Sequence, residues 1–170
     1  DSGLISKAYL RSRLVVVLGG RAAEIVVFGP SEVTQGAAGD LQMVSRICRE
    51  MVTRYGFSNL GPVALESDAG QVFLGRDWFR PESHAYSSRT GSQIDGQVRQ
   101  LAAGALDQAL AVLQPRRELL DRLVEHLITE ETINGEAFRD LVAQWESENP
   151  QLSGMPLQLS SLLPTEATPE

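Results

Sequence analysis

Apolar residues recur at helical spacing along most of this chain, and the periodicity predicts a mainly α fold. The first apolar stretch covers residues 4–27. It contains Val15-Val16-Val17, which is apolar all round and predicts a central helix buried on most sides. Gly19 and Gly20 lie inside this stretch, and each glycine costs about 1 kcal/mol relative to alanine in a helix. We therefore expect close packing against another backbone at these two glycines. Phe28-Gly29-Pro30 ends the helix.

A second helix is predicted from about residue 37 to residue 55, with Gly56 as a natural cap. Its apolar stripe consists of Leu41, Val44, Ile47, Met51 and Tyr55. The segment 62–76 has a different pattern, with two short apolar runs at 63–65 and 72–74 around a turn signal at 68–70. That pattern predicts one small β-hairpin.

Three further helices follow in the sequence. Ser87 or Ser88 is expected to cap a helix over 89–113, and Pro115 suits the first turn of the next helix, which ends near residue 129. Thr132 or Asn134 begins a last short helix. The residues expected to face inward are Ile94, Val98, Leu101, Ala105, Ala109, Leu119, Leu120, Leu123, Leu127, Ala137, Leu141 and Trp145. Residues 147–170 are rich in proline, serine, glutamine and threonine, and we expect a disordered C-terminal tail.

Length, charge and composition limit the classes of protein to which this chain can belong. A chain of 170 residues is long enough for one domain with a real core. The formal net charge of −7 argues against nucleic-acid binding, which requires clustered Lys and Arg. The small basic pairs Arg11/Arg13 and Arg116/Arg117 are interpreted as solvated helix faces. No apolar run approaches the roughly 20 residues needed to span a bilayer. The start at Asp1, without Met, suggests a segment of a longer protein.

The candidate catalytic side chains are few. Cys48 is the only cysteine, so an intrachain disulfide is impossible, and its place on an apolar stripe predicts a buried, inert thiol. His84 and His126 are too far apart for the HExxH pattern, which places two zinc-binding histidines on one helix face. We interpret both as ordinary surface or core-edge histidines. The chain alone therefore cannot build a conventional catalytic zinc site, which needs three protein ligands.

Two acids stand among small residues. Glu24 follows Gly19-Gly20-Arg21-Ala22-Ala23, and Asp40 follows Gly36-Ala37-Ala38-Gly39. Small residues let backbones approach closely and can hold an acid in a defined place, as a metal site requires. Two simpler interpretations remain open. Asp40 could only complement the dipole of the helix it begins, and Glu24 could be a surface salt-bridge acid.

These segments carry a resemblance to a known family. The chain resembles the protease domain of the FtsH family, membrane-anchored ATP-dependent AAA zinc metalloproteases of peptidase family M41, and is most similar to cyanobacterial and chloroplast members. The resemblance covers about residues 5–142. Its anchors are Leu18-Gly19-Gly20-Arg21-Ala22-Ala23-Glu24, Val33-Thr34, Gly36-Ala37, Asp40-Leu41, Met51-Val52-Thr53-Arg54-Tyr55-Gly56-Phe57-Ser58, Leu60-Gly61-Pro62-Val63, Phe73-Leu74-Gly75-Arg76, Ile94-Asp95 and Glu131-Thr132-Ile133.

The resemblance implies roles for the two acids. Asp40 matches the aspartate that is the family's third zinc ligand. Glu24 matches an acid near the zinc-binding histidines, where a carboxylate can orient a liganding histidine. The HExxH helix, with its two histidines and its general-base glutamate, is expected upstream. Residues 1–146 would then be the C-terminal part of a helical M41-type peptidase domain, and this chain alone would be inactive.

For the whole protein, the resemblance implies an ATP-dependent zinc metalloendopeptidase that degrades unfolded or damaged membrane and soluble proteins in protein quality control. It implies one Zn²⁺ per subunit, ATP and Mg²⁺ in a separate ATPase module, and a homo- or hetero-hexameric ring. An N-terminal anchor would hold the parent protein in the plasma or thylakoid membrane, with this domain on the cytoplasmic or stromal side.

The sequence departs from the family's usual residues at Ile25, Gln35, Gly39 and Gln97. Ile25 replaces a second glutamate. Gly39 replaces an asparagine before the ligand aspartate and removes a side chain that could brace the turn. A second hypothesis therefore stays open, in which the chain belongs to a non-catalytic assembly subunit, or is an oligomerisation module, of a hexameric protease ring.

Overall fold

The computed structural model describes residues 4–66 and 86–152. The chain divides into two compact units. Unit 1 comprises Asp1–Leu18 and Gly36–Ala105, and unit 2 comprises Gly19–Gln35 and Leu106–Glu170. Every regular element in the described residues is a helix, which confirms the mainly α fold. The six α-helices are α1 Lys7–Val17, α2 Gly19–Phe28, α3 Ala38–Thr53, α4 Ser88–Leu113, α5 Arg117–Glu130 and α6 Gly135–Glu148, with short 3₁₀ turns at Gln35–Ala37 and Gln114–Arg116.

The first predicted helix is in fact two helices. Leu18 ends α1, and Gly19 begins α2. Two expectations about this stretch were wrong. Val16 is 77% exposed, so α1 is amphipathic and not buried on most sides. A Cβ atom added at Gly19 or Gly20 would meet nothing within 4 Å, so no close backbone explains the glycines. The physical reason is that α1 buries one stripe only, and the triple valine extends beyond it.

Unit 1 is built around α3. Helix α1 packs on α3, because both present apolar stripes at helical spacing. The buried apolar residues of unit 1 are Leu10, Leu14, Leu18, Ala37, Val44, Ile47, Cys48, Met51, Val52, Ile94 and Ala105. The predicted stripe of α3 is confirmed in its middle, whereas its end residues Leu41 and Tyr55 are 41% and 47% exposed.

The end of α3 depends on Gly56. This residue has φ +61°, in the left-handed region that favours glycine, and a Cβ there would lie 2.9 Å from Pro62 Cα. The turn brings the chain back over the helix end, where the carbonyl of Thr53 accepts from the backbone N–H groups of Leu65 at 2.7 Å and Glu66 at 3.2 Å. The predicted cap at Gly56 therefore also positions the segment that follows.

Unit 2 contains α2, α5, α6 and the end of α4. Its buried apolar residues are Ala22, Ala109, Leu119 and Trp145. The expected caps of the later helices are confirmed: Ser87 Oγ accepts from the Thr90 N–H at 3.3 Å, and Asn134 Oδ1 accepts from the backbone N–H groups of Glu136 and Ala137.

The basic pair at Arg116 and Arg117 does more than cover a solvated face. Arg116 donates to the carbonyl of Val112 at 2.9 Å. Arg117 donates to the carbonyl of Val26 at 2.9 Å and is itself held by the Asp121 carboxylate at 3.0 and 3.1 Å. A cation on the last carbonyls of α2 satisfies acceptors that the helix leaves unpaired. The earlier interpretation of this pair was therefore incomplete.

Two predicted segments lie partly outside the described residues. The turn and second arm of the expected hairpin fall within 67–85, and its first arm, 63–65, is irregular chain. Helix α6 ends at Glu148, so the first two residues of the expected tail are helical. Residues 153–170 lie outside the described residues. Among the described helices, none is long and apolar enough to cross a membrane.

Candidate functional site

Asp40 lies in the first turn of α3 and is exposed. Ala37, the residue that precedes the helix, provides no side-chain cap, so the positive end of the helix dipole faces this acid without competition from a capping side chain. Within 4–66 and 86–152, no side chain donates a hydrogen bond to the Asp40 carboxylate. Its oxygens are accessible and could bind a cation.

Glu24 lies on α2 in a more confined setting, with its side chain 23% exposed. The Thr34 hydroxyl donates to Oε1 at 2.6 Å. Arg21, one helical turn earlier, donates through Nη2 to the backbone carbonyl of Thr34 at 2.8 Å. Glu24 and Arg21 thus share one face of α2, as residues three apart do, and that face fixes Thr34.

The second oxygen of Glu24 is different. Oε2 is buried and accepts no hydrogen bond from residues 4–66 or 86–152. Arg21 Nη1 lies 3.4 Å from it, which is ion-pair distance without the geometry of a hydrogen bond. A buried carboxylate oxygen without a hydrogen-bond donor is costly, because the nearby charge of Arg21 compensates only part of its desolvation. The arrangement therefore suits an additional N–H or O–H donor at Oε2.

The two acids belong to different units, Glu24 to unit 2 and Asp40 to unit 1. No group of three or more metal-binding side chains occurs among the described residues. The oxygens of Asp40 are of the type that zinc accepts, and Oε2 of Glu24 suits the ring N–H of a liganding histidine. Taken separately, the Asp40 carboxylate has the chemistry of a zinc ligand, and the Glu24 carboxylate has that of an acceptor for a ring N–H.

The remaining candidates have ordinary roles. Cys48 is fully buried in unit 1, as predicted, and burial raises the pKa of its thiol to about 11, which disfavours the reactive thiolate. His126 lies half-buried on α5, away from any metal-binding group in the described part of the chain. His84 falls outside the described residues.

The sequence reasoning missed a hydrogen-bonded cluster in unit 1, formed by Arg49, Glu66 and Tyr86. Arg49 Nη2 donates to Glu66 Oε1 at 2.8 Å and to the Tyr86 hydroxyl oxygen at 2.9 Å, and that hydroxyl donates to the same Oε1 at 2.9 Å. Burial alone would raise the pKa of Glu66, but hydrogen bonds from Arg49, Tyr86 and Thr53 outweigh it and lower the pKa. No sequence signal joins three residues so far apart.

Comparison with known proteins identifies the family. A model of the family described as Peptidase family M41 matches residues 1–141, a range that includes Glu24, Thr34 and Asp40. The chain belongs to peptidase family M41. This membership confirms the resemblance recognised from the Gly-Gly-Arg and Thr-x-Gly-Ala segments.

The named relatives are consistent with that assignment. The chain is 46% identical over 144 residues to the ATP-dependent zinc metalloprotease FtsH 3 of Synechocystis, which covers 84% of this chain and 23% of the relative. It is 40% identical over 168 residues to the ATP-dependent zinc metalloprotease FtsH of Synechococcus, covering 95% and 26%. It is 41% identical over 152 residues to the chloroplastic ATP-dependent zinc metalloprotease FTSH 2 of Arabidopsis thaliana, covering 89% and 21%. The chain spans about a quarter of the length of these relatives.

Proposed function

We propose that this M41 chain is part of an ATP-dependent zinc metalloendopeptidase. The supporting observation is the family match over residues 1–141, with an acid at each of the two motif positions, Glu24 and Asp40. Relatives named as zinc metalloproteases support the cofactor Zn²⁺ and the reaction, hydrolysis of peptide bonds in proteins.

Asp40 is proposed as the third zinc ligand. A ligand carboxylate must be ionised and free of competing donors, and Asp40 is exposed and accepts no hydrogen bond from a described side chain. When bound, zinc supplies a Lewis acid and lowers the pKa of a coordinated water. Asp40 would contribute one oxygen and one negative charge to hold the ion.

Glu24 is proposed to orient a histidine ligand from the HExxH segment of the parent protein. A carboxylate that accepts the second ring N–H of such a histidine fixes its tautomer and raises its basicity. The buried oxygen Oε2, which lacks a donor in the described chain, supports this role. The HExxH histidines and the general-base glutamate are absent from this sequence, so we propose that another segment of the parent protein supplies them.

At the level of the whole protein, we propose a hexameric ring of like subunits, identical or mixed, acting on unfolded or damaged membrane and soluble proteins. ATP with Mg²⁺ would bind to a separate ATPase module, and an anchor would hold the parent protein in a plasma or thylakoid membrane with this domain on the cytoplasmic or stromal side. The chloroplastic relative is consistent with a parent protein of this kind.

The test uses the full-length parent protein carrying Asp40→Asn. We expect zinc content per subunit, measured by elemental analysis, to fall well below that of the unaltered protein, together with loss of protease activity. Glu136→Gln is a matched control, because Glu136 is an exposed acid in the first turn of α6. Unchanged zinc content in Asp40→Asn would disprove the ligand role.

A second candidate function, that of a non-catalytic assembly subunit, is favoured by Ile25 and Gly39, which depart from the family's usual glutamate and asparagine. The two candidates differ in the residues that precede Asp1 in the parent reading frame. An intact HExxH supports the protease. A degenerate motif, together with absence of zinc from the purified parent protein, would support the assembly role.

A further inference from the structure

The hydroxyl of Thr34 makes a short contact with the carboxylate of Glu24. It donates to Glu24 Oε1 at 2.6 Å, within the range of a charge-assisted O–H to carboxylate hydrogen bond. Such bonds are roughly twice as strong as those between neutral groups. The contact joins residues ten positions apart, so it links α2 to the chain that leads away from it.

Thr34 is held at a second point. Arg21 Nη2 donates to its backbone carbonyl at 2.8 Å, and Arg21 has only 13% of its side chain exposed. The backbone of Thr34 is therefore fixed independently of the hydroxyl. A hydroxyl on a fixed backbone can determine how the carboxylate it touches is rotated.

The result is an asymmetric carboxylate. Oε1 accepts a hydrogen bond from the Thr34 hydroxyl, whereas Oε2 is buried and has no hydrogen-bond donor in the part of the chain that the structure describes. Without the hydroxyl, both oxygens would lack a hydrogen bond, and the guanidinium of Arg21, 3.4 Å from Oε2, would be the nearest cation. Rotation towards Arg21 would then satisfy Oε2 and remove it from any other donor.

We propose that Thr34 is a positioning residue whose hydroxyl fixes the rotation of the Glu24 carboxylate and so keeps Oε2 available to an N–H donor. This inference rests on the proposed function, in which that donor is a histidine ligand of the zinc. Thr34 acts through Glu24 and touches neither metal nor substrate. Arg21 supports it by holding the Thr34 backbone.

The test compares Thr34→Val, which keeps the shape and removes the hydroxyl, with Thr34→Ser, which keeps the hydroxyl. The control is Thr129→Val, because the hydroxyl of Thr129 in unit 2 donates to the carbonyl of Glu125, within its own helix. In the full-length parent protein, we expect Thr34→Val to weaken zinc affinity, measured by chelator competition, about tenfold. Thr34→Ser and Thr129→Val should bind zinc like the parent protein.

A second measurement does not depend on zinc. In the 170-residue chain, the ¹³Cδ chemical shift of Glu24 at pH 7 should change in Thr34→Val and stay unchanged in Thr34→Ser and Thr129→Val. An unchanged shift in Thr34→Val would overturn the inference whatever the zinc result. The inference would also be overturned if Thr34→Val changed the shift but bound zinc like the unaltered parent protein, provided that Asp40→Asn loses zinc in the same assay. If Asp40→Asn keeps its zinc, the proposed ligand role of Asp40 is wrong. The chemical shift alone then decides whether Thr34 fixes the rotation of the Glu24 carboxylate.

Discussion

Glu66 in unit 1 and Glu24 in unit 2 are both partly buried acids that an arginine and a hydroxyl group contact, yet they differ in one respect. Arg49 and Tyr86 both donate to one oxygen of Glu66 and also bond to each other. Among the described residues, only Thr34 donates a hydrogen bond to Glu24, and the buried second oxygen of this acid receives none.

This difference distinguishes an acid that stabilises the fold from an acid that can still accept a hydrogen bond from another group. In the Glu66 cluster, Arg49 and Tyr86 satisfy one oxygen of the acid and bond to each other, so the cluster stabilises the fold. An acid with a buried, unsatisfied oxygen carries a cost that a ligand group could remove. We infer that Glu66 serves the stability of unit 1, whereas Glu24 serves the proposed zinc site.

The two acids are also placed by different means. Glu24 is positioned by the helix that carries it, whereas Glu66 reaches Arg49 only because the chain turns at Gly56. Gly56→Ala should therefore have the largest effect, a loss of about 2–4 kcal/mol in the free energy of unfolding, because φ is positive and the new methyl would meet Pro62. Urea unfolding of the 170-residue chain measures this.

Gly104→Ala is the control for that variant. Gly104 lies in α4 with open space around its Cβ position, so alanine there should be neutral or stabilising. Hydrogen exchange should show faster opening of α3 amides than of α6 amides in Gly56→Ala. Equal loss of protection in α3 and α6 would show that the turn does not act on unit 1 alone.

Glu24→Gln tests the other side of the comparison. We expect zinc affinity of the full-length parent protein to fall about tenfold, because the neutral amide is a weaker acceptor for a histidine N–H. Chelator competition gives the affinity, and urea unfolding should show that the fold is retained. Parental zinc affinity in this variant would remove the functional distinction between the two acids.

Glu66→Gln should show the opposite pattern. Removing the charge weakens the bonds from Arg49 and Tyr86, and we expect a loss of about 1 kcal/mol in the free energy of unfolding, modest because Arg49 is 39% exposed. Zinc affinity of the parent protein should be unchanged. A fall in zinc affinity comparable to that of Glu24→Gln would contradict the assignment of Glu66 to structure alone.

The smallest expected effect concerns pH. The pKa of Glu66 lies below its ordinary value of 4.5, so this acid stabilises the fold above that value, and the stabilisation is lost as pH falls through the lower, folded-state pKa. The stability difference between the unaltered chain and Glu66→Gln should therefore shrink from pH 7 towards pH 3. Urea unfolding at the two pH values measures it, and a constant difference would show that the charge is not responsible.

Much of the fold could be predicted because its signals are local. Apolar periodicity located five helical stretches, and short-range caps at Ser87, Asn134 and Gly56 marked where helices start and end. The break between α1 and α2 was missed, since periodicity continues across Leu18. Burial of Val16 was wrongly predicted because three apolar residues in a row do not reveal which of them faces the partner helix.

The candidate site was predicted in part. Asp40 and Glu24 could be selected from their motifs, but their surroundings could not. In the sequence, Thr34 could be recognised only as a residue of the family's motif. Its contact with Glu24 could not be predicted, because the two residues are ten positions apart. Helical spacing predicts that Arg21 lies beside Glu24 on α2. The loop that brings Thr34 back to this face of α2 has no periodic pattern, so its path could not be predicted.

The sequence by itself determined the helical class, the family and the identity of the two acids, because periodicity and motif spacing are properties of neighbouring residues. Only the tertiary structure decided which acid is satisfied. It brought Arg49, Glu66 and Tyr86 into one hydrogen-bonded cluster and left Oε2 of Glu24 buried without a donor from the described chain. Hydrogen-bond satisfaction depends on atoms that folding brings together from distant positions, and no local pattern encodes it.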